Sequence, residues 1–155
     1  MKSLYLILVL ILSVQNCSNQ IQDKFPAAVK EVYHQHWIGG VQGGGSGTGF
    51  YIEFKTKLPE TIVLKQLYFR NGLAQANKTS ETQYLFNFVG KANWDRRGEL
   101  EISDVPAPKT INPPYPIKEN EAILEYLYKG ERKYFKISNV KEKEMLAYPS
   151  ARPRN

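Results

Sequence analysis

The sequence predicts an all-β fold: an antiparallel β-sandwich or small barrel of about six to eight strands in a single domain. Three observations carry that expectation. Apolar and polar residues alternate with period two over several short runs, the pattern of strands with one buried face. No segment sustains an apolar stripe at i, i+3, i+4 and i+7, the helical period. Aromatic residues, which sheets favour, make up 12% of the chain. At 155 residues the chain suits one domain. It is too short for a (β/α)₈ barrel, which takes roughly 250 residues.

The chain opens with Lys2 and an apolar run over residues 4–14. One positive charge ahead of about a dozen apolar residues is the layout of a secretory signal. A spanning helix takes about 20 such residues, so residues 1–16 are expected to be a cleaved signal peptide. Cys17, the one cysteine, stands where the run ends. Val14-Gln15-Asn16-Cys17 is similar to a bacterial lipobox in its apolar residue three places before the cysteine, and departs from it at Asn16, where Gly, Ala or Ser is usual. Cys17 is therefore the expected lipid attachment site, holding the protein to a membrane. The expected place is the outer membrane of a bacterial envelope, on its periplasmic or surface side, with plain secretion the alternative if Cys17 is not processed. Removing residues 1–16 deletes Lys2 and no acid, so the formal charge falls from +6 to +5.

Residues 17–28 are mostly polar or small and read as a tether behind the lipidated cysteine. From Val29 the period is two: Val29, Glu31, Tyr33, Gln35 and Trp37 face one way, and Lys30, Val32, His34, His36 and Ile38 the other. Phe50, Ile52 and Phe54 form a second alternating run. A third interleaves Ile62, Leu64, Gln66 and Tyr68 with Val63, Lys65, Leu67 and Phe69, and Asn71-Gly72 ends it with a turn signal. Tyr84, Phe86 and Phe88 follow. Residues 122–128 and 133–140, joined through Gly130, read as a hairpin. The all-β domain is thus expected over 29–148, with a tail over 149–155.

Two stretches stand apart in composition. Seven of the 11 glycines lie in residues 39–49, and five of the nine prolines in residues 106–116. The glycine stretch lacks the lysine of a phosphate-binding loop and fails G-x-G-x-x-G in every register. It reads as a flexible or φ-positive connection between two strands, or as a glycine surface that lets another backbone approach. The proline stretch reads as an extended covering over a sheet edge, against the alternative of a P-x-x-P ligand at Pro113 and Pro116.

His34-x-His36 puts two imidazoles on one strand face, the beginning of a zinc or copper site if a carboxylate such as Glu53, or a tyrosine, supplies a third ligand. The alternative is a pair of partly exposed strand histidines. Trp94-Asp95-Arg96-Arg97 combines an aromatic plane with guanidiniums, a set suited to sugars or anions. Trp37, Trp94, Arg96 and Arg97 are thus candidate glycan-binding residues, against the alternative of a surface turn with an inward tryptophan. No Ser-His-Asp or Cys-His arrangement stands in a catalytic context, and no cofactor motif is found. The expectation is a non-enzymatic module with no cofactor. The lysines are scattered singly, without the stacked aromatics of an RNA-binding surface, so no nucleic-acid partner is expected.

Several strings together resemble a group of small uncharacterised exported proteins and lipoproteins of flavobacteria and other Bacteroidetes. They are Trp37-Ile38-Gly39-Gly40, residues 43–52, Leu67-Tyr68-Phe69-Arg70, residues 133–140 and Tyr148-Pro149-Ser150. The resemblance implies export and an envelope location, and brings no activity or catalytic residue. The function expected is a lipid-anchored envelope module, binding or structural, with an envelope protein or glycan as partner. A metal-binding protein or enzyme using His34 and His36 is one alternative, and a carbohydrate-binding module using the Trp and Arg residues is another.

Overall fold

The computed structural model describes residues 21–40, 44–90 and 111–147, and every regular element among them is a strand. In chain order these are β1 (Ile21–Gln22), β2 (Val29–Ile38), β3 (Ser46–Phe54), β4 (Ile62–Phe69), β5 (Gly72–Lys78), β6 (Gln83–Val89), β7 (Ala122–Tyr128), β8 (Glu131–Ile137) and β9 (Lys141–Ala147). They form one sheet in the order β1-β8-β7-β4-β5-β6-β3-β2-β9. Pairing is antiparallel except at the edges, where β1 runs parallel to β8 and β9 parallel to β2.

The fold is all-β as expected, and its arrangement corrects the finer expectation. In place of an antiparallel sandwich or barrel of six to eight strands there is a curled, mixed sheet of nine, a half-barrel. The three additional strands carry weak apolar contrast. β5 reads GLAQANK, β9 is exposed along its whole length, and β1 is two residues long. β1 also lies in the segment read as a tether, which here reaches into the core. Phe25 packs against Phe54, Tyr126 and Phe135 at centroid distances of 5.3, 4.8 and 5.4 Å.

The curl is made at β5. Residues 72–75 pair with β4, and residues 76–78 pair with β6. The side chains at the bend that join the core are Ala74 and Ala76, small enough for the halves to fold towards each other. Phe50 of β3 then meets Phe69 of β4 edge-on at 5.1 Å, within the usual range for aromatic pairs. Phe50, Ile52, Phe54, Leu67, Phe86, Leu124 and Tyr126 are each at most 1% exposed.

Two bulges keep apolar residues on the inside. In β4 the register to β7 shifts between Leu64 and Gln66. An extra residue reverses the alternation, so Ile62 and Leu64 share the inner face with Leu67 and Phe69 rather than opposing them. A shift between Val29 and Glu31 likewise brings Val29 and Val32 against one core. The β7–β8 hairpin turns on Lys129 (φ 52°) and Gly130 (φ 83°), the left-handed pair that a two-residue turn of this hand requires.

The ends of the sheet are tied to each other. β8 and β9 lie in different halves, yet only Ser138, Asn139 and Val140 separate them. Four Cα steps span at most about 14 Å, so the two edges must converge at this end.

The outer face of the β8-β7-β4 half is covered around Ile123 and Tyr134, while Val63, also outward on β4, is 44% exposed. Ile123 is 0% and Tyr134 7% exposed, and neither belongs to the inner core. Tyr115 packs edge-on against Tyr134 at 5.6 Å. In residues 111–117 the half-buried side chains are Ile111, Pro113, Tyr115 and Ile117, alternating with exposed ones in an extended covering. Beneath runs a polar row in register across β5, β4 and β7. Gln75 Nε2 donates to Gln66 Oε1 at 3.0 Å, and Gln66 Nε2 to Glu125 Oε2 at 2.7 Å. Arg132 Nε reaches Glu125 Oε1 at 3.1 Å.

Candidate functional site

The outer face of the β6-β3-β2-β9 half is built differently. Pairing sets three outward rows across it: Leu85–Tyr51–Tyr33, Asn87–Gly49–Gln35 and Val89–Gly47–Trp37. The glycines have a steric purpose here. A Cβ on Gly47 would lie 2.8 Å from the Trp37 ring and 2.5 Å from the Phe88 carbonyl oxygen, and one on Gly49 would lie 2.8 Å from the Tyr51 ring. Both rings therefore lie down on bare backbone.

The rings are fixed from their edges. Trp37 Nε1 donates to Asn87 Oδ1 at 3.1 Å. Tyr51 stacks on Tyr33 at 4.7 Å with 14° between planes. The Lys143 ammonium stands 3.4 Å above the Tyr33 ring and 3.1 Å from Glu31 Oε2. Gln35 Nε2 donates to the Glu144 carbonyl at 2.7 Å, so β9 is tied to the same face. Trp37, Gly49, Tyr51, Leu85 and Asn87 line a shallow concavity of about 200 Å³. It offers two aromatic planes, a flat floor and the Asn87 amide, the mixture by which sugar rings are held through stacking and hydrogen bonds.

A second concavity opens where the sheet edges converge. A cleft of about 500 Å³ is lined by His34, Arg70, Lys118, Glu119, Asn120, Val140 and Glu142. A neighbouring one of about 410 Å³ shares Arg70, Lys118 and Glu119 with it. His34 is 4% exposed and its ring lies 5.1 Å from that of Phe69. Its Nε2 is 4.0 Å from Glu142 Oε2. Burial pushes the imidazole below its ordinary value of 6.5; Glu142 opposes that and Arg70 adds to it.

His34 and His36 do share the inner face, paired with Phe50 and Thr48. They do not share a site: His36 Nδ1 lies 3.4 Å from Thr48 Oγ1 and takes no part in the cleft. Glu53, the carboxylate named as an example of a third ligand, is on the opposite face, paired with Lys30 at 2.7 Å. Among the described residues no three His, Cys, Asp or Glu side chains are grouped to hold a metal ion.

Trp37 is the expected glycan-binding residue that the structure places in a concavity. Trp94, Arg96, Arg97 and Cys17 lie outside the described residues, as do residues 1–16, read as a signal peptide, and residues 149–155. Sequence reasoning missed Tyr51 and Asn87, whose role depends on pairing across β2, β3 and β6. The available signal was the glycine stretch beside Trp37, where bare backbone invites an aromatic ring. Comparison with known proteins found no match among family models, curated proteins or solved structures.

Proposed function

We propose that the protein is a lipid-anchored module of a bacterial envelope that binds glycan on the outer face of β2, β3 and β6. The observation that carries the binding half is the pair of rings, Trp37 and Tyr51, laid on Gly47 and Gly49 around one concavity. Stacking needs flat aromatic planes, and hydrogen bonding needs polar groups at their edges, here the Asn87 amide. The anchoring half rests on the sequence: the apolar run over 4–14 followed by Cys17. Several acyl chains on one cysteine would hold the protein firmly, since each buried CH₂ contributes roughly 0.8 kcal/mol. The resemblance to exported proteins of flavobacteria supports the same address.

Each half has its own test. Cys17→Ser is expected to shift the protein from the membrane to the soluble fraction and to remove the acyl mass; unchanged fractionation and mass would refute the anchor. For binding, Trp94→Phe leaves Trp37 as the single indole. Titrating total envelope polysaccharide should then change its fluorescence saturably. A flat titration would refute the glycan reading without touching the anchor.

A further inference from the structure

The cleft at the converging edges is lined by three basic side chains, His34, Arg70 and Lys118. His34 is 4% exposed and lines the cleft; its Nε2 lies 4.0 Å from Glu142 Oε2, and the Arg70 guanidinium is the other charge that acts on it. Arg70 is held in the left-handed region (φ 53°) by the two-residue β4–β5 turn, its guanidinium 5.0 Å from the Phe69 ring centre. No carboxylate among the described residues pairs with Arg70 or with Lys118.

Glu121, three residues on from Lys118, is already committed. Glu121 takes the Lys136 ammonium at 2.9 Å and the backbone N–H of Lys118 at 3.0 Å. That bracing, with the Val140 N–H on the Asn120 carbonyl at 3.1 Å, fixes the wall carrying Lys118 against the β8–β9 link. Glu119 and Glu142 complete the lining, so the formal charges of Arg70, Lys118, Glu119 and Glu142 cancel. Attraction here depends on directed donors rather than on a net field. Two abutting spaces of about 410 and 500 Å³ lie within the range of small-molecule sites.

We propose that this cleft is a binding site for a small ligand carrying an oxyanion group, a carboxylate or a phosphate. Arg70 and Lys118 receive its charge, and His34 donates a ring N–H to it. Two cations and an imidazole lining one cleft supply the charge-assisted donors that an oxyanion accepts. The site is separate from the Trp37 face and stands or falls independently of it.

The test follows the imidazole resonances of His34 by NMR in the full chain, purified in detergent, with inorganic phosphate, acetate or sodium chloride added at matched ionic strength. One of the two oxyanions is expected to shift His34 saturably and to raise its titration midpoint, while His36 serves as the unmoved internal reference. Saturation by phosphate alone identifies a phosphate group, and saturation by acetate alone a carboxylate. Arg70→Asn keeps a residue that tolerates the left-handed turn, and Lys118→Gln changes an exposed side chain, so both variants should fold. Each is expected to weaken binding by about tenfold or more, the weight of one charge-assisted hydrogen bond. The proposal is overturned if phosphate and acetate act no differently from chloride, or if both variants bind as the unsubstituted chain does.

Discussion

On the half of the sheet built from β8, β7 and β4, the outer face holds Ile123 at 0% exposure. On the half built from β6, β3, β2 and β9, the outer face leaves Val89 73% and Leu146 40% exposed. The two halves share an inner core and differ in what lies outside it. The first is roofed by residues 111–117 and spends its polar groups on one another, from Gln75 through Gln66 to Glu125. The second has aromatic planes laid on glycine, around a concavity. The contrast teaches where each half puts its side chains: one outer face is packed around Ile123 and Tyr134, and the other carries the aromatic concavity.

The largest expected effect breaks the contrast at equivalent outward positions. Ile123→Ala should cost about 2–5 kcal/mol in urea unfolding, because it opens a cavity in a sealed layer. Leu85→Ala, on the half-buried opposite face, should cost under about 1.5 kcal/mol. Equal costs would mean that both faces are sealed alike.

The polar row gives the next effect. Glu125→Ala should cost about 1–3 kcal/mol, since Gln66 and Tyr68 lose their acceptor beneath the covering segment. Arg132→Ala, removing the partner that is 62% exposed, should cost at most about 1 kcal/mol. A larger loss from Arg132 would make the row a surface ion pair rather than a buried network.

Acidification should act through His34. Its folded pKa is depressed, chiefly by burial, so the unfolded chain binds the proton more tightly. Stability is therefore full above the ordinary value of 6.5 and is lost as pH falls below it. Glu81, Glu121 and Glu131 are held low mainly by hydrogen bonds from Lys78, Lys136 and Lys133, so their contributions fade only below 4.5. Between those limits, His34→Phe should flatten the dependence of unfolding free energy on pH. An unchanged slope would place the titration elsewhere.

The smallest effect lies on the open face. Lys143→Ala removes the ammonium from above Tyr33 and from Glu31, and should cost about 0.5–1 kcal/mol, less at high salt.

Much of the fold was legible because burial contrast wrote it into the sequence. Phe50-Tyr51-Ile52-Glu53-Phe54 alternates cleanly, and Lys129-Gly130 between two such runs gives the hairpin. β9 was not legible, because Lys141-Glu142-Lys143-Glu144 lies at an exposed edge and pairs through its backbone. The bulge at Lys65 was hidden for another reason: an extra residue reverses the phase without changing composition. The candidate sites were legible only in fragments. Trp37 and His34 could be singled out, whereas Tyr51, Asn87, Arg70 and Lys118 join them through strand pairing and the approach of distant edges.

The most direct test of the account compares the two faces on one glycan array, using the unsubstituted chain, Trp37→Ala and Tyr115→Ala. The account predicts that the unsubstituted chain binds a defined set of glycans, that Trp37→Ala loses them, and that Tyr115→Ala, on the covered face, keeps them. A silent array, or binding that survives Trp37→Ala and disappears with Tyr115→Ala, would contradict it.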